Sequence, residues 1–249
     1  RGRGNPMNVS LDTALKLREL LDKAKAAAGN TVYGQRVQAV ISDLQPKDEL
    51  IASRNGKGAE QARSKAPLAT GVEGADLSKA TPFVLKSNSG NKKPAAETSF
   101  KAGWDKDALL LDIVCKEPDM GKLKVVKNVT GGDYVSVCLE TQNHSYYHIE
   151  VNPDGGIVEG DPAPRWRSLS QIKTEKGADF WRVQLRIPVV GDAEAAADPN
   201  HRIAGAKPTG KSPWYFNVGR QRVAGLEKPE LQAFSPTDGA SFQVPAKFA

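Results

Sequence analysis

From about residue 75 onward, apolar and polar side chains alternate in short runs separated by Gly, Pro, Asn and Asp. A period of two marks a strand with one covered face. Strands at this spacing, with no helical segment between them, predict an antiparallel β-sandwich. The runs are ALLLDIVCKE (108–117), DYVSVCLET (133–141), YYHIEVN (146–152), DFWRVQLRIPV (179–189) and PWYFNVGRQR (213–222), with ETSFKAGW (97–104) as a sixth. Alternation also sorts the faces. Val135, Val137 and Leu139 oppose Tyr134, Ser136, Cys138 and Glu140. Tyr147, Ile149 and Val151 oppose Tyr146, His148, Glu150 and Asn152. Trp181, Val183, Leu185 and Ile187 oppose Arg182, Gln184 and Arg186. The first set of each packs a core. The second is either a ligand platform or an ordinary solvated face.

The front of the chain has a different period. Ser10 is a suitable N-cap, followed at three-four spacing by Ala14, Leu17, Leu21, Ala24 and Ala28, up to Gly29-Asn30. A second helix starts near Thr31, carries Tyr33, Val37, Val40, Ile41 and Leu44 on one face, and stops before Pro46. Two helices cannot bury a core alone, so the pair needs something to dock on. The organisation expected is a helical hairpin over 1–45 (the tail of a preceding domain), a linker over 46–74, and a β-sandwich of jelly-roll or DOMON-like type over 75–249.

Charge adds little to this picture. Residues 1–74 carry 12 Lys and Arg against 8 Asp and Glu, and the rest carries 23 against 21. The basic excess lies outside the sandwich and forms no dense run, which argues against nucleic-acid binding. No apolar run is long enough to span a membrane. The chain opens RGRGNPMN with no initiator Met, as a mature product or excised fragment would. Sequons at Asn8, Asn128 and Asn143 bear only on a eukaryotic secretory context. Cys115 and Cys138 are too few for a disulfide framework or a zinc site of Cys ligands; they read as buried thiols, with a single disulfide as the other reading.

Catalytic chemistry is not evident. The histidines are His144, His148 and His201, and no H-E-x-x-H, G-x-S-x-G or P-loop motif occurs. Glu117 and Asp119 are a conceivable glycosidase pair, but two positions apart beside Pro118 they read better as a strand exit. Asp105 and Asp107 read as turn residues, with calcium ligation as the alternative. No cofactor is expected otherwise; Met120 with one of the histidines is the thin case for a haem.

The ordered series of motifs resembles a family. Trp104-Asp105 precedes an apolar strand ending in Glu117-Pro118. Asp133-x-Val135 follows, then His148 to Asn152 with PDGG, then Trp181 to Pro188, Phe216 to Arg220, and a closing FSPTDG…VPAKFA. This series resembles a family 9 carbohydrate-binding module, or a relative in the wider DOMON-like sandwich group, over roughly 75–249. The front hairpin is similar to the helical tail after the barrel of large secreted glycoside-hydrolase-like proteins, α-glucuronidase relatives among them. Members of the family clamp a terminal sugar between two Trp rings, and those positions fall here at Thr130 and Phe234. The family's Glu aligns with Ser136, and a basic residue of the next strand aligns with Glu150. Thr130 has no ring to offer. Trp166 is then either a replacement ring or a loop anchor. Arg220 and Arg222 either reach sugar hydroxyls or brace carboxylates, and Trp104, Trp181 and Trp214 read as structural.

The resemblance implies a non-catalytic carbohydrate-binding module, secreted or periplasmic, appended to a polysaccharide-processing protein. Its candidate ligand-binding residues are Trp166, Phe234, Glu150, His148, Ser136 and Arg220. The alternative is a structural module that docks on its own catalytic domain and holds no sugar.

Overall fold

The computed structural model describes residues 11–41, 69–89, 93–141, 146–160, 166–198, 200–209, 213–239, 241–244 and 248. Ser10, the stop at Leu44 and Pro46, most of the 46–74 linker, Asn8, Asn143 and His144 lie outside the described residues.

At the front, α1 spans Leu11–Ala28 and a second helix, α2, occupies 32–41. The joint between them is built from side-chain chemistry. Gly29 adopts φ of +54° and donates its N–H to the Lys25 carbonyl at 3.0 Å, a left-handed stop that glycine enters without steric cost. Thr31 Oγ1 donates to the Ala28 carbonyl at 2.7 Å and accepts from the Gly34 N–H at 3.3 Å, so it caps α2. A side chain at position 34 would place Cβ 1.9 Å from the Gly29 carbonyl oxygen, which requires glycine there. The apolar stripe is only partly covered: Ile41 is buried and Leu21, Ala28 and Val37 are half-buried, while Leu17, Tyr33 and Val40 are exposed, as are Leu20 and Val32 beside it.

The rest is a sandwich of two sheets. The seven-stranded sheet runs β1 (Val72–Glu73), β4 (Thr98–Asp105), β5 (Ala108–Lys116), β10 (Phe180–Val190) and β11 (Ile203–Ala204). Against it, β2 (Phe83–Val84) pairs with β4, and β9 (Gln171–Lys176) pairs with β10. The six-stranded sheet runs β3 (Lys86–Ser87), β13 (Glu230–Ala233), β12 (Tyr215–Arg222), β6 (Tyr134–Glu140), β7 (Tyr146–Val151) and β8 (Ile157–Gly160). The long strands are antiparallel, as the alternation predicts. Two short pairings depart from it, β1 with β4 and β10 with β11, both parallel and two residues long. They close sheet edges after long connections, which a periodicity reading has no means to place.

Between the sheets, Phe100, Leu111, Ile113, Trp181, Val183 and Ile187 of one meet Val135, Val137, Leu139, Ile149, Val151 and Val218 of the other. Each aliphatic side chain fully buried in this layer contributes about 1.5–3 kcal/mol. Cys115 lies on this inner face and Cys138 on the outer face of the six-stranded sheet. Both are free thiols, and burial pushes the Cys115 thiol up to about 11 against the opposing charge of Arg220. The six-stranded sheet is closed at one edge by a polar clasp. Buried Asn88, just after β3, donates to Thr237 Oγ1 at 3.0 Å and to the Gly239 carbonyl at 2.7 Å, and accepts from the Thr237 N–H at 2.9 Å.

Candidate functional site

The residues proposed from sequence separate into three environments. Ser136, His148 and Glu150 do share the outer face of the six-stranded sheet, with Ser136 opposite Glu150 and Cys138 opposite His148 across β6 and β7. That face is covered by the end of the chain. Phe242 lies over Gly219, where a Cβ would come within 2.6 Å of the ring, and Phe248 is buried in the same cluster with Tyr134, Cys138 and Ala233. Gln243 Nε2 stands 3.1 and 3.2 Å from the two ring nitrogens of His148, and His148 Nε2 is 3.0 Å from Glu150 Oε1. Tyr134, Ser136, Cys138, Glu140, His148 and Glu150 are all buried. Alternation assigned them outward correctly. It could not register that aromatic residues about a hundred positions downstream fold back over them.

Trp166 and Phe234 are core residues, so neither presents a ring to a groove. Trp166 is 1% exposed, packs 5.1 Å from Tyr147 and donates Nε1–H to the Arg202 carbonyl at 3.0 Å. It is the loop anchor of the two sequence readings. Phe234 is enclosed by Phe83, Phe100 and Phe216, stacked on the last at 5.4 Å. Two aromatic rings in a dry contact of this kind gain more by staying than by turning to water.

Arg220 is buried between the sheets. Its Nη2 donates to Glu117 Oε2 at 2.9 Å, while Arg222 reaches the same carboxylate through Nε at 2.7 Å and Nη2 at 2.8 Å. Glu117 Oε1 also accepts the Asp119 N–H at 3.0 Å. Burial alone would raise the Glu117 carboxyl. The Arg222 and Asp119 hydrogen bonds and the two guanidinium charges outweigh it and hold the carboxyl below the usual carboxylate range. Glu117 and Asp119 are therefore a strand exit with an ion triad, and Arg220 and Arg222 brace a carboxylate. Asp105 and Asp107 both face Arg186, at 3.7 and 2.9 Å. Among the described residues, no three His, Cys, Asp or Glu side chains converge in a way that could hold a metal ion.

An open surface remains on the opposite side of the molecule. The outer face of the seven-stranded sheet carries a groove of about 550 Å³. Pairing registers lay its floor out as rows across β4, β5, β10 and β9. One row is Lys101, Asp112, Gln184 and Lys173; the next is Gly103, Leu110, Arg186 and Gln171. The wall beside β4 is the segment 74–79. Leu77 rests on Gly103, where a Cβ would come within 2.4 Å of Leu77 Cδ2. Asp76 accepts the Ser78 N–H at 2.9 Å, and hydrogen bonding from the Ser78 side chain and then its backbone keeps the carboxyl low, with the Lys101 charge helping. Lys101 Nζ donates to the Ser78 carbonyl at 3.1 Å and ties wall to floor.

The polar groups here divide by engagement. Arg182 holds Asp112 in a two-point contact, Nε to Oδ1 at 2.6 Å and Nη2 to Oδ2 at 2.7 Å. The side chains of Gln171, Gln184 and Lys173 make no hydrogen bond or ion pair among the described residues. They line a cavity with donors and acceptors to spare. Sequence reasoning placed Gln184 on the outward face of its strand. It missed Gln171 and Lys173, because QIKTEK has too few apolar residues to register as a strand, and it did not single out Lys101 in the run it read as a strand over 97–104.

No family model and no curated protein matches the chain in sequence. Solved structures do match it in fold. A family 9 carbohydrate-binding module from Caldicellulosiruptor kristjanssonii in complex with cellotriose aligns at a TM-score of 0.54 and 16% identity, over 73% of this chain and 91% of that one. Its glucose complex aligns at 0.50 and 17%, over 74% and 89%. A putative carbohydrate-binding protein from Bacteroides uniformis aligns at 0.52 and 17%, over 68% and 84%. The fold is that of family 9 carbohydrate-binding modules.

Proposed function

We propose that this chain is a non-catalytic carbohydrate-binding module, and that its glycan lies in the groove on the outer face of the seven-stranded sheet. The observation that carries the reading is the set of unengaged side chains, Gln171, Gln184 and Lys173, lining an open groove on a fold whose solved neighbours include cellotriose and glucose complexes. Sugar hydroxyls need hydrogen-bonding partners of both kinds, and a primary amide supplies donor and acceptor in one plane. We propose further that the module works outside the cytoplasm, attached to a polysaccharide-processing enzyme for which it would hold substrate.

A second reading has its own support. The exposed Leu17, Leu20, Val32, Tyr33 and Val40 of the helical pair suit a module that docks on a neighbouring domain. Calorimetric titration of the chain with a panel of neutral and acidic oligosaccharides separates the two. Binding is expected, and Gln184→Ala is expected to weaken it about tenfold, the worth of one or two hydrogen bonds. The variant's melting temperature should stay within a degree or two of the parent, because the amide contributes no packing to the core. A folded chain that gives no heat with any glycan would leave only the docking reading. Unaltered affinity in the variant would move the sugar off this face.

A further inference from the structure

Resting on the carbohydrate reading, we infer that the groove is built for an acidic glycan, whose uronate carboxylates are taken by Lys101 and Lys173. These residues stand at the two ends of one row, Lys101–Asp112–Gln184–Lys173, on four adjacent strands. Three inter-strand spacings separate their backbones by about 14 Å. A chain laid across the strands along this row therefore meets an ammonium at each end, with the Gln184 amide and the Asp112 carboxylate, itself paired with Arg182, between.

The other charges of the surface are already committed. Arg182 is held by Asp112 and approached by Glu175 at 3.7 Å. Arg186 is held by Asp107, with Asp105 behind it. Asp76, on the rim, accepts the Ser78 N–H and keeps its negative charge, which faces the Lys101 ammonium. Lys101 donates one hydrogen bond to the Ser78 carbonyl and has two N–H groups left, and Lys173 has no partner among the described residues. The charge left without a counter-charge inside the groove is thus that of Lys173, while the Lys101 ammonium also faces the Asp76 carboxylate and keeps N–H groups to donate. A neutral glucan offers the ammonium groups only uncharged oxygens, whereas a carboxylate at either end gains a stronger, charge-assisted bond.

The test compares sugars that differ only in charge. Glucuronate-bearing xylo-oligosaccharides and oligogalacturonates are each titrated against the carboxyl-reduced form of the same oligosaccharide. At low salt the acidic form should bind about tenfold more tightly, and the advantage should shrink severalfold as ionic strength passes about 0.15 M. In the Lys101→Gln/Lys173→Gln double variant the ratio of the two affinities should fall to about one. Equal binding of both forms by the parent chain would overturn the acidic preference and leave the module reading standing. An advantage that survives the double substitution would overturn the role of these lysines. Failure of every oligosaccharide to bind would take the module reading down as well.

Discussion

Glu117→Ala should lower the free energy of unfolding by about 3–5 kcal/mol, the usual cost of removing one partner of a buried ion pair. Glu117 is fully buried and is the carboxylate to which two guanidinium groups, those of Arg220 and Arg222, are directed. The excess positive charge is tolerated because Arg220 also donates to the Lys116 carbonyl at 2.7 Å and the Thr98 hydroxyl at 3.2 Å, and lies 5.8 Å from the Trp181 ring. With the carboxylate gone, those contacts and the more distant charges of Glu230 and Asp133 are left to face two cations taken out of water. Urea denaturation with an unchanged slope would register the loss as a shift of midpoint. A loss below about 1 kcal/mol would mean that water reaches the triad.

The same carboxylate sets an acid limb. Its folded-state pKa lies below the ordinary value, so its contribution is fully present above about pH 4.3, the ordinary glutamate value. The contribution is lost as pH falls through the folded pKa. The melting temperature of the parent should therefore drop on acidification in that range. Glu117→Gln should start lower at neutral pH and show a flatter acid limb.

Trp166→Ala is the second large effect, about 3–5 kcal/mol, because a large ring leaves the core and its neighbours only partly collapse into the space. The ring supports more than itself. Its partner Tyr147 accepts the Ala204 N–H at 3.0 Å, and the adjacent segment pairs with 200–202 through the Arg167 and Arg202 N–H groups at 2.8 Å each. Trp166→Phe keeps most of the packing and loses only the bond to the Arg202 carbonyl, for an expected cost of about 1–2 kcal/mol. Thermal denaturation of both variants reads the difference. If Trp166→Ala melted with the parent but bound glycan poorly, the ring would be a sugar platform and its packing incidental.

The sandwich was legible in the sequence because its long strands are half-buried. In β10 every second residue is buried over Phe180–Val190, and the alternation reads directly. Strands of other character were not legible. β9 is polar throughout its exposed edge, and β1, β2, β3 and β11 are two residues long, too short for any period. The candidate site was less legible than the fold, for one physical reason. Alternation separates the two faces of a strand, but it does not say which face meets water. On β6 both faces are buried, one by the opposite sheet and one by Phe242 and Phe248, so polar side chains that look like a platform are interior. On β10 the polar face does meet solvent, and there the groove is found. The aromatic residues singled out as sugar rings, Trp166 and Phe234, belong to the core for the reason most large rings do: burial of their area outweighs any exposed use.

The clasp at Asn88 also bears on how the chain acquires its shape. Asn88 and Thr237 are 149 positions apart, and β3 next to it pairs with β13 across a similar interval. Such contacts repay their cost only after a long loop has been closed. Chains dominated by pairings of this reach fold in milliseconds to seconds, whereas locally connected helical domains take microseconds to milliseconds. Strands β6, β7 and β8 are joined by short connections and can zip locally. The β3 edge waits for β13, so the meeting of segments from nearly opposite ends of the sandwich is the step expected to be slow.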